Sequence, residues 1–177
     1  MSIGAKIVIA IGTQLPSIML PATDGKDVDL AKLAGLCVVY AYPRTSPPGS
    51  PPIAGWDLIP GARGCTPQSC AFRDHYGELK QAGVAFLFGL STQDTAYQAE
   101  AAARLHLPFS LLSDASVQFA RAIGLKTFEA GRMTLLERAT LILKDGVIIH
   151  AMSPVAEPAK NAEEVIAYLN HQAVKQN

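Results

Sequence analysis

Seven consecutive residues without a charge, Leu36-Cys37-Val38-Val39-Tyr40-Ala41-Tyr42, constrain the fold most. An unbroken apolar run rich in β-branched and aromatic side chains marks a strand buried on both faces. The flanking pattern supplies the elements to bury it. A short strand near Ser17–Leu20, an Asp24-Gly25 turn and Lys26–Leu30 read as a hairpin. Downstream, the spacing predicts a helix from about Thr66 to Gln81, an apolar strand over Val84–Leu90 and a helix over about Asp94–Leu105. A short strand at Pro108–Leu112 and a helix near Ser116–Ile123, capped by Ser113-Asp114, come next. Met133–Lys144 and Val147–Met152 read as a second hairpin around Asp145-Gly146, and a helix over about Asn161–Ala173 closes the chain. This order is that of an α/β protein with a mixed sheet. The 177 residues suit one domain, 1–177.

Prolines and glycines crowd residues 43–64 and forbid a regular helix or a central strand there. The segment is expected to be a long surface loop carrying the only tryptophan, Trp56. A loop of this length inside a compact domain is usually functional or mobile. Trp56 either pins it to the body or lines an entrance near Cys65. The chain then enters Gly64-Cys65-Thr66-Pro67-Gln68-Ser69-Cys70-Ala71-Phe72-Arg73-Asp74. Pro67 suits a first helical turn, which places Cys65 at or just before a helix N-terminus. Free backbone N–H groups and the positive end of the helix dipole favour negative charge on a sulfur there. On one helix, Cys65 and Cys70 stand about 140° apart around the axis, with Cα atoms roughly 8.6 Å apart. A disulfide spans at most ~7 Å, so a bridge requires the first turn to unwind. Helix ends open cheaply. Geometry leaves two readings open, a redox pair or two unrelated cysteines, one packed and one idle. Cys37, inside the apolar run, reads as a small buried hydrophobe rather than a third redox thiol.

The pattern Gly-Cys-Thr-x-x-x-Cys-x-Phe-Arg-Asp resembles the active-site helix of the peroxiredoxins, closest to the bacterioferritin comigratory protein or peroxiredoxin Q subgroup. The resemblance implies a thioredoxin-like fold with a mixed central sheet flanked by helices and an N-terminal β-hairpin. It implies a thiol peroxidase that reduces hydrogen peroxide and organic hydroperoxides. Cys65 would be the peroxidatic cysteine, oxidised to a sulfenic acid, and Cys70 the resolving cysteine that closes an intramolecular disulfide. Thioredoxin or a similar dithiol would reduce that disulfide, with no cofactor or metal, in a monomer or weak homodimer. Arg138, in Glu137-Arg138-Ala139-Thr140, looks like the family's arginine, which opens a strand in an Arg-x-Thr pattern. The competing reading is a surface arginine paired with Glu137, and Arg121 and Arg132 are weaker candidates. Phe109–Asp114 resembles another family segment and is assigned a scaffold role. One departure stands out. The family carries a threonine three residues before its peroxidatic cysteine and a proline further back, where this chain has Ala62 and Leu58. An insertion at about 44–63 accounts for this if it folds back, leaving Pro43 and Thr45 to flank Cys65 and Thr45 to supply the hydroxyl. Otherwise Pro60 shields the sulfur without any threonine.

Composition narrows the alternatives. Formal net charge is zero and no basic block exists to hold a phosphate backbone, which argues against nucleic acid. No run approaches the roughly 18 apolar residues of a membrane span, and residues 1–12 fall short of a secretory leader. Three cysteines do not make a disulfide framework, so a reducing cytoplasm is expected. Cys65, Cys70 and His75 step around one helix by about 140° and cannot converge on a metal ion. Two rival functions remain. A thiol–disulfide oxidoreductase on the same fold is disfavoured by the lack of Cys-x-x-Cys. A non-enzymatic redox sensor or binding module would use the two cysteines to reshape the loop.

Overall fold

The computed structural model describes residues 9–177. Of the segment weighed as a leader, residues 1–8 lie outside the described residues. Strands β1 (Met19–Pro21) and β2 (Asp27–Asp29) pair antiparallel around the Asp24-Gly25 turn, as the sequence predicts. The central strand β3 (Leu36–Ala41) is followed, after the long loop, by helices α1 (Cys65–Asp74) and α2 (Tyr76–Gln81). Then come β4 (Val84–Ser91), α3 (Thr95–Arg104), β5 (Leu111–Ser113) and α4 (Gln118–Ile123). A small hairpin of β6 (Thr127–Ala130) and β7 (Met133–Leu136) precedes β8 (Ala139–Lys144), β9 (Val147–Met152) and α5 (Asn161–Lys175).

Five strands form one mixed sheet in the order β5-β4-β3-β8-β9. β3 runs parallel to β4 and antiparallel to β8. Its side chains divide by parity, as a strand buried on both faces requires. Cys37, Val39 and Ala41 enter a core layer with Leu20 of the first hairpin and Phe119 and Ala120 of α4. Val38, Tyr40 and Tyr42 enter the opposite layer with Phe72 of α1, Leu79 of α2 and Val165 and Leu169 of α5. Tyr40 stacks on Phe72 at 4.5 Å and donates from its hydroxyl to Ser69 Oγ at 3.0 Å, which ties α1 to the sheet. No helix among the described residues is long and apolar enough to cross a membrane.

The structure corrects two sequence readings. The helix expected over Thr66–Gln81 is two helices, broken at His75, where the backbone leaves helical geometry (φ −101°, ψ 11°). The His75 ring bonds through Nδ1 with the Ala71 carbonyl at 2.9 Å, next to its own N–H on the same oxygen. The strand expected over Met133–Lys144 is also two, interrupted at Glu137-Arg138, and the first piece pairs with a strand the sequence reading missed, β6. The Glu137 N–H donates to the Lys126 carbonyl at 2.8 Å, continuing the β6–β7 register by one pair, so Glu137 stays with the small hairpin and pairing with β3 begins only at Ala139. That interruption is what aims Arg138 inward.

Candidate active site

The register Ala41↔Ala139 sets Arg138, just before β8, level with Tyr42, just after β3. The start of α1 completes this edge, and the carboxyl ends of parallel strands are where open α/β sheets place their sites. Gly64 is the residue before the helix, with φ +106°. A side chain there would lie 2.8 Å from Pro158 Cγ, so only glycine lets the helix start press against the turn before α5.

Cys65 is the first residue of α1 and only 5% exposed. Its sulfur receives a hydrogen bond from Arg138 Nη2 at 3.3 Å and faces the Ala62 carbonyl at 3.8 Å. The guanidinium is 3% exposed and forms no ion pair with Glu137 or any other carboxylate among the described residues. The surface-pair reading of Arg138 is thereby replaced by a buried cation on the sulfur. The same Nη2 also donates to the carbonyls of Gly61 at 3.2 Å and Arg63 at 2.9 Å, which fixes the end of the long loop. With no carboxylate to neutralise it, the positive charge acts on the sulfur together with the helix dipole.

A second layer of polar groups orients that cation. Arg138 Nη1 donates to Gln68 Oε1. Gln68 Nε2 donates to Asn161 Oδ1 at 3.0 Å, and Thr140 Oγ1 donates to the same oxygen at 2.6 Å. Gln68, Thr140 and Asn161 have no solvent exposure. Among these side chains only Arg138 Nε lacks a partner, and in a low-dielectric interior the bonds that are made count for more. Asn161→Leu keeps the volume but leaves the Gln68 and Thr140 donors without their acceptor. It is expected to lower stability by about 1–3 kcal/mol in urea unfolding, whereas Asn161→Asp, which retains the accepting oxygen, should recover much of that loss.

Cys65 opens onto a cavity of about 320 Å³. The long loop supplies most of its wall, through Thr45, Pro51, Ile53 and Trp56. Trp56 also rests on Phe128 of β6, ring centroids 6.3 Å apart, so it both lines the entrance and pins the loop. Thr45 reaches the cavity, but its hydroxyl donates to Gln93 Oε1 at 3.4 Å rather than to the sulfur. Gln93 returns a bond to the Thr45 carbonyl at 2.8 Å, clamping this part of the loop to the end of β4. Pro60 faces a neighbouring hollow with Leu58 and Val155, away from Cys65. Cys70 is half-buried further along α1, and both cysteines are free thiols on an intact helix. Cys37 is 1% exposed in the opposite core layer, where burial pushes its thiol well above the ordinary range and keeps it protonated. Asp114 caps α4, accepting from the N–H groups of Phe119 and Ala120, consistent with the scaffold role given to Phe109–Asp114.

Sequence reasoning missed Gln68, Gln93 and Asn161. Gln68 carried a signal, since it lies three residues after Cys65 and so on nearly the same helix face. Gln93 and Asn161 carried none, because their partners Thr45 and Gln68 lie 48 and 93 positions away.

Comparison with known proteins places this geometry in context. The redoxin family matches residues 10–166. The chloroplastic peroxiredoxin Q of Oryza sativa subsp. japonica is 34% identical over 163 residues, 91% of this chain and 67% of that protein. Among solved structures, the peroxidoxin BcpB of Mycobacterium tuberculosis superposes with a TM-score of 0.75 at 24% identity, over 93% of this chain and 98% of that one. The bacterioferritin comigratory protein of Xanthomonas campestris, solved in work on its alkyl peroxide reduction activity, gives a TM-score of 0.72 at 24% identity, over 93% and 99%. These likenesses show the thioredoxin-like fold with its added N-terminal hairpin.

Proposed function

The chain belongs to the redoxin family, in its peroxiredoxin Q branch, and from that premise we propose that Cys65 is the sulfur with which this thiol peroxidase attacks hydrogen peroxide and organic hydroperoxides. The observation that carries the assignment is the buried Arg138 guanidinium, unpaired by any carboxylate among the described residues and 3.3 Å from the Cys65 sulfur. The sulfur anion attacks one peroxide oxygen, the O–O bond breaks, and the departing alkoxide or hydroxide takes a proton to leave as alcohol or water. Arg138 and the N–H groups at the start of α1 stabilise the charge moving onto that leaving oxygen. Cys65 is left as a sulfenic acid.

Cys70 then attacks the Cys65 sulfur, an S–S bond forms, and hydroxide leaves and is protonated to water. An external dithiol, thioredoxin or similar, supplies the two electrons that reopen the disulfide. No cofactor enters this sequence. Thr45 serves as a positioning residue, holding the loop through Gln93, and the whole chain works as one domain with 44–63 as an inserted wall of the site. Three free cysteines fit a reducing cytoplasm, and the protein is assigned as a monomer or weak homodimer.

Intact mass after one equivalent of hydrogen peroxide tests the reading. The wild type is expected to lose two hydrogens as the disulfide closes. Cys70→Ser is expected to gain one oxygen instead, trapped by dimedone on Cys65. A wild type whose mass does not change would end the assignment.

A further inference from the structure

Arg44 and Arg63 line the cavity, and nothing in the reaction described above uses Arg44. It follows the buried pair Tyr42-Pro43 and lines the same cavity as Cys65. Its Nε is buried without a hydrogen-bond partner. Nη1 reaches only the Met133 sulfur, a weak acceptor, at 3.8 Å. Among the described residues it forms no ion pair, whereas Arg63 across the cavity is matched by Asp57 at 3.4 Å. A half-buried cation lacking both anion and strong acceptor is costly, and an anion delivered by a ligand removes that cost. The same cavity has an apolar wall of Pro51, Pro52, Ile53 and Trp56. Hydrogen peroxide is too small and too polar to use such a wall.

We propose that this cavity selects organic hydroperoxides that carry a carboxylate, with Arg44 binding the carboxylate, the Pro51–Trp56 wall covering the hydrocarbon body and the hydroperoxide directed at Cys65. The proposal rests on the peroxidase reading above and narrows its substrate class. A forked guanidinium suits a carboxylate better than a point charge does, because two parallel N–H donors meet its two oxygens.

A matched pair of substrates tests it: cumene hydroperoxide and its para-carboxylate, which differ only in the anion. With the full chain and dithiothreitol as reductant, kcat/KM is measured for both, and the ratio of carboxylate to neutral substrate is the readout. Taking the ratio on one preparation cancels any loss of folded enzyme. The wild type is expected to favour the carboxylate by roughly tenfold or more, the scale of one charge-assisted hydrogen bond. Arg44→Gln should bring the ratio to about one, and Arg44→Lys should leave an intermediate preference. A wild-type ratio near one, or a preference that survives Arg44→Gln, overturns the assignment. Consumption of neither hydroperoxide overturns the peroxidase reading itself, and this one with it, so the two failures are told apart.

Discussion

Cys65→Ser is expected to bring peroxide consumption down to the uncatalysed background while leaving the protein folded. On the proposed reading the sulfur is the attacking atom, and a serine oxygen is a far weaker nucleophile than a cysteine sulfur. Serine is slightly smaller than cysteine and can keep the hydrogen bond to Arg138, so the site is not broken sterically. Thermal unfolding checked beside the assay separates chemistry from folding. The contrast with the other two cysteines makes the result specific. Cys70→Ser should still react once, and Cys37→Ala should turn over, because Cys37 lies in the core layer on the far side of the sheet. Peroxide-dependent oxygen addition to Cys70 in the Cys65→Ser protein would mean that the two roles are reversed.

Arg138→Met should slow the first oxidation by two to three orders of magnitude, measured as the second-order rate of sulfenate formation in single turnover. Removing one preorganised donor from a developing oxyanion costs about 10²–10³ in rate. Here the same group also holds charge against the attacking sulfur and ties down the carbonyls of Gly61 and Arg63. Methionine fills comparable volume without charge, which limits collapse of the pocket. Arg138→Lys is not expected to restore the rate, since one ammonium cannot reach Gln68, the loop carbonyls and the sulfur together. A loss below tenfold would remove Arg138 from the reacting atoms and leave it a structural tie.

Cys65 was legible in the sequence for local reasons, whereas Arg138 was picked out only by its resemblance to the family's arginine. Gly64 and Pro67 announce a helix start, and a cysteine between them has few packing explanations. Leu36–Tyr42 could only be an inner strand, and that fixes which edge of the sheet receives the helix. What could not be read is tertiary. Met133–Lys144 is uniformly fit for a strand, and it divides because Glu137 stays with the small hairpin while pairing with β3 begins only at Ala139, contacts no periodicity encodes. The helix after Cys65 breaks at His75 because the ring is drawn to the Ala71 carbonyl, and histidine elsewhere in a helix gives no such sign. The loop over residues 43–64 was recognisable as a loop from its prolines, but its shape depends on Gln93 gripping Thr45 from the end of β4. Arg44 was passed over for the same reason. Its lack of a partner is a property of its surroundings, not of its neighbours in the chain.

If Cys65 and Cys70 react as proposed, the hydrogen bonds that hold Cys65 in place for peroxide work against its joining to Cys70. Gln68 lies between the two cysteines in sequence, so unwinding the turn for the proposed disulfide also breaks its bonds to Arg138 and Asn161. On that proposed chemistry, a sulfenate on Cys65 would face the cavity until the turn opens, where another hydroperoxide would carry it to the sulfinic acid. Each oxidised molecule therefore runs a race between an internal clock and the ambient peroxide concentration. When peroxide is scarce the clock wins and the enzyme is recycled. As peroxide rises, a growing share is retired at every turnover, and the population of active molecules records the dose it has met.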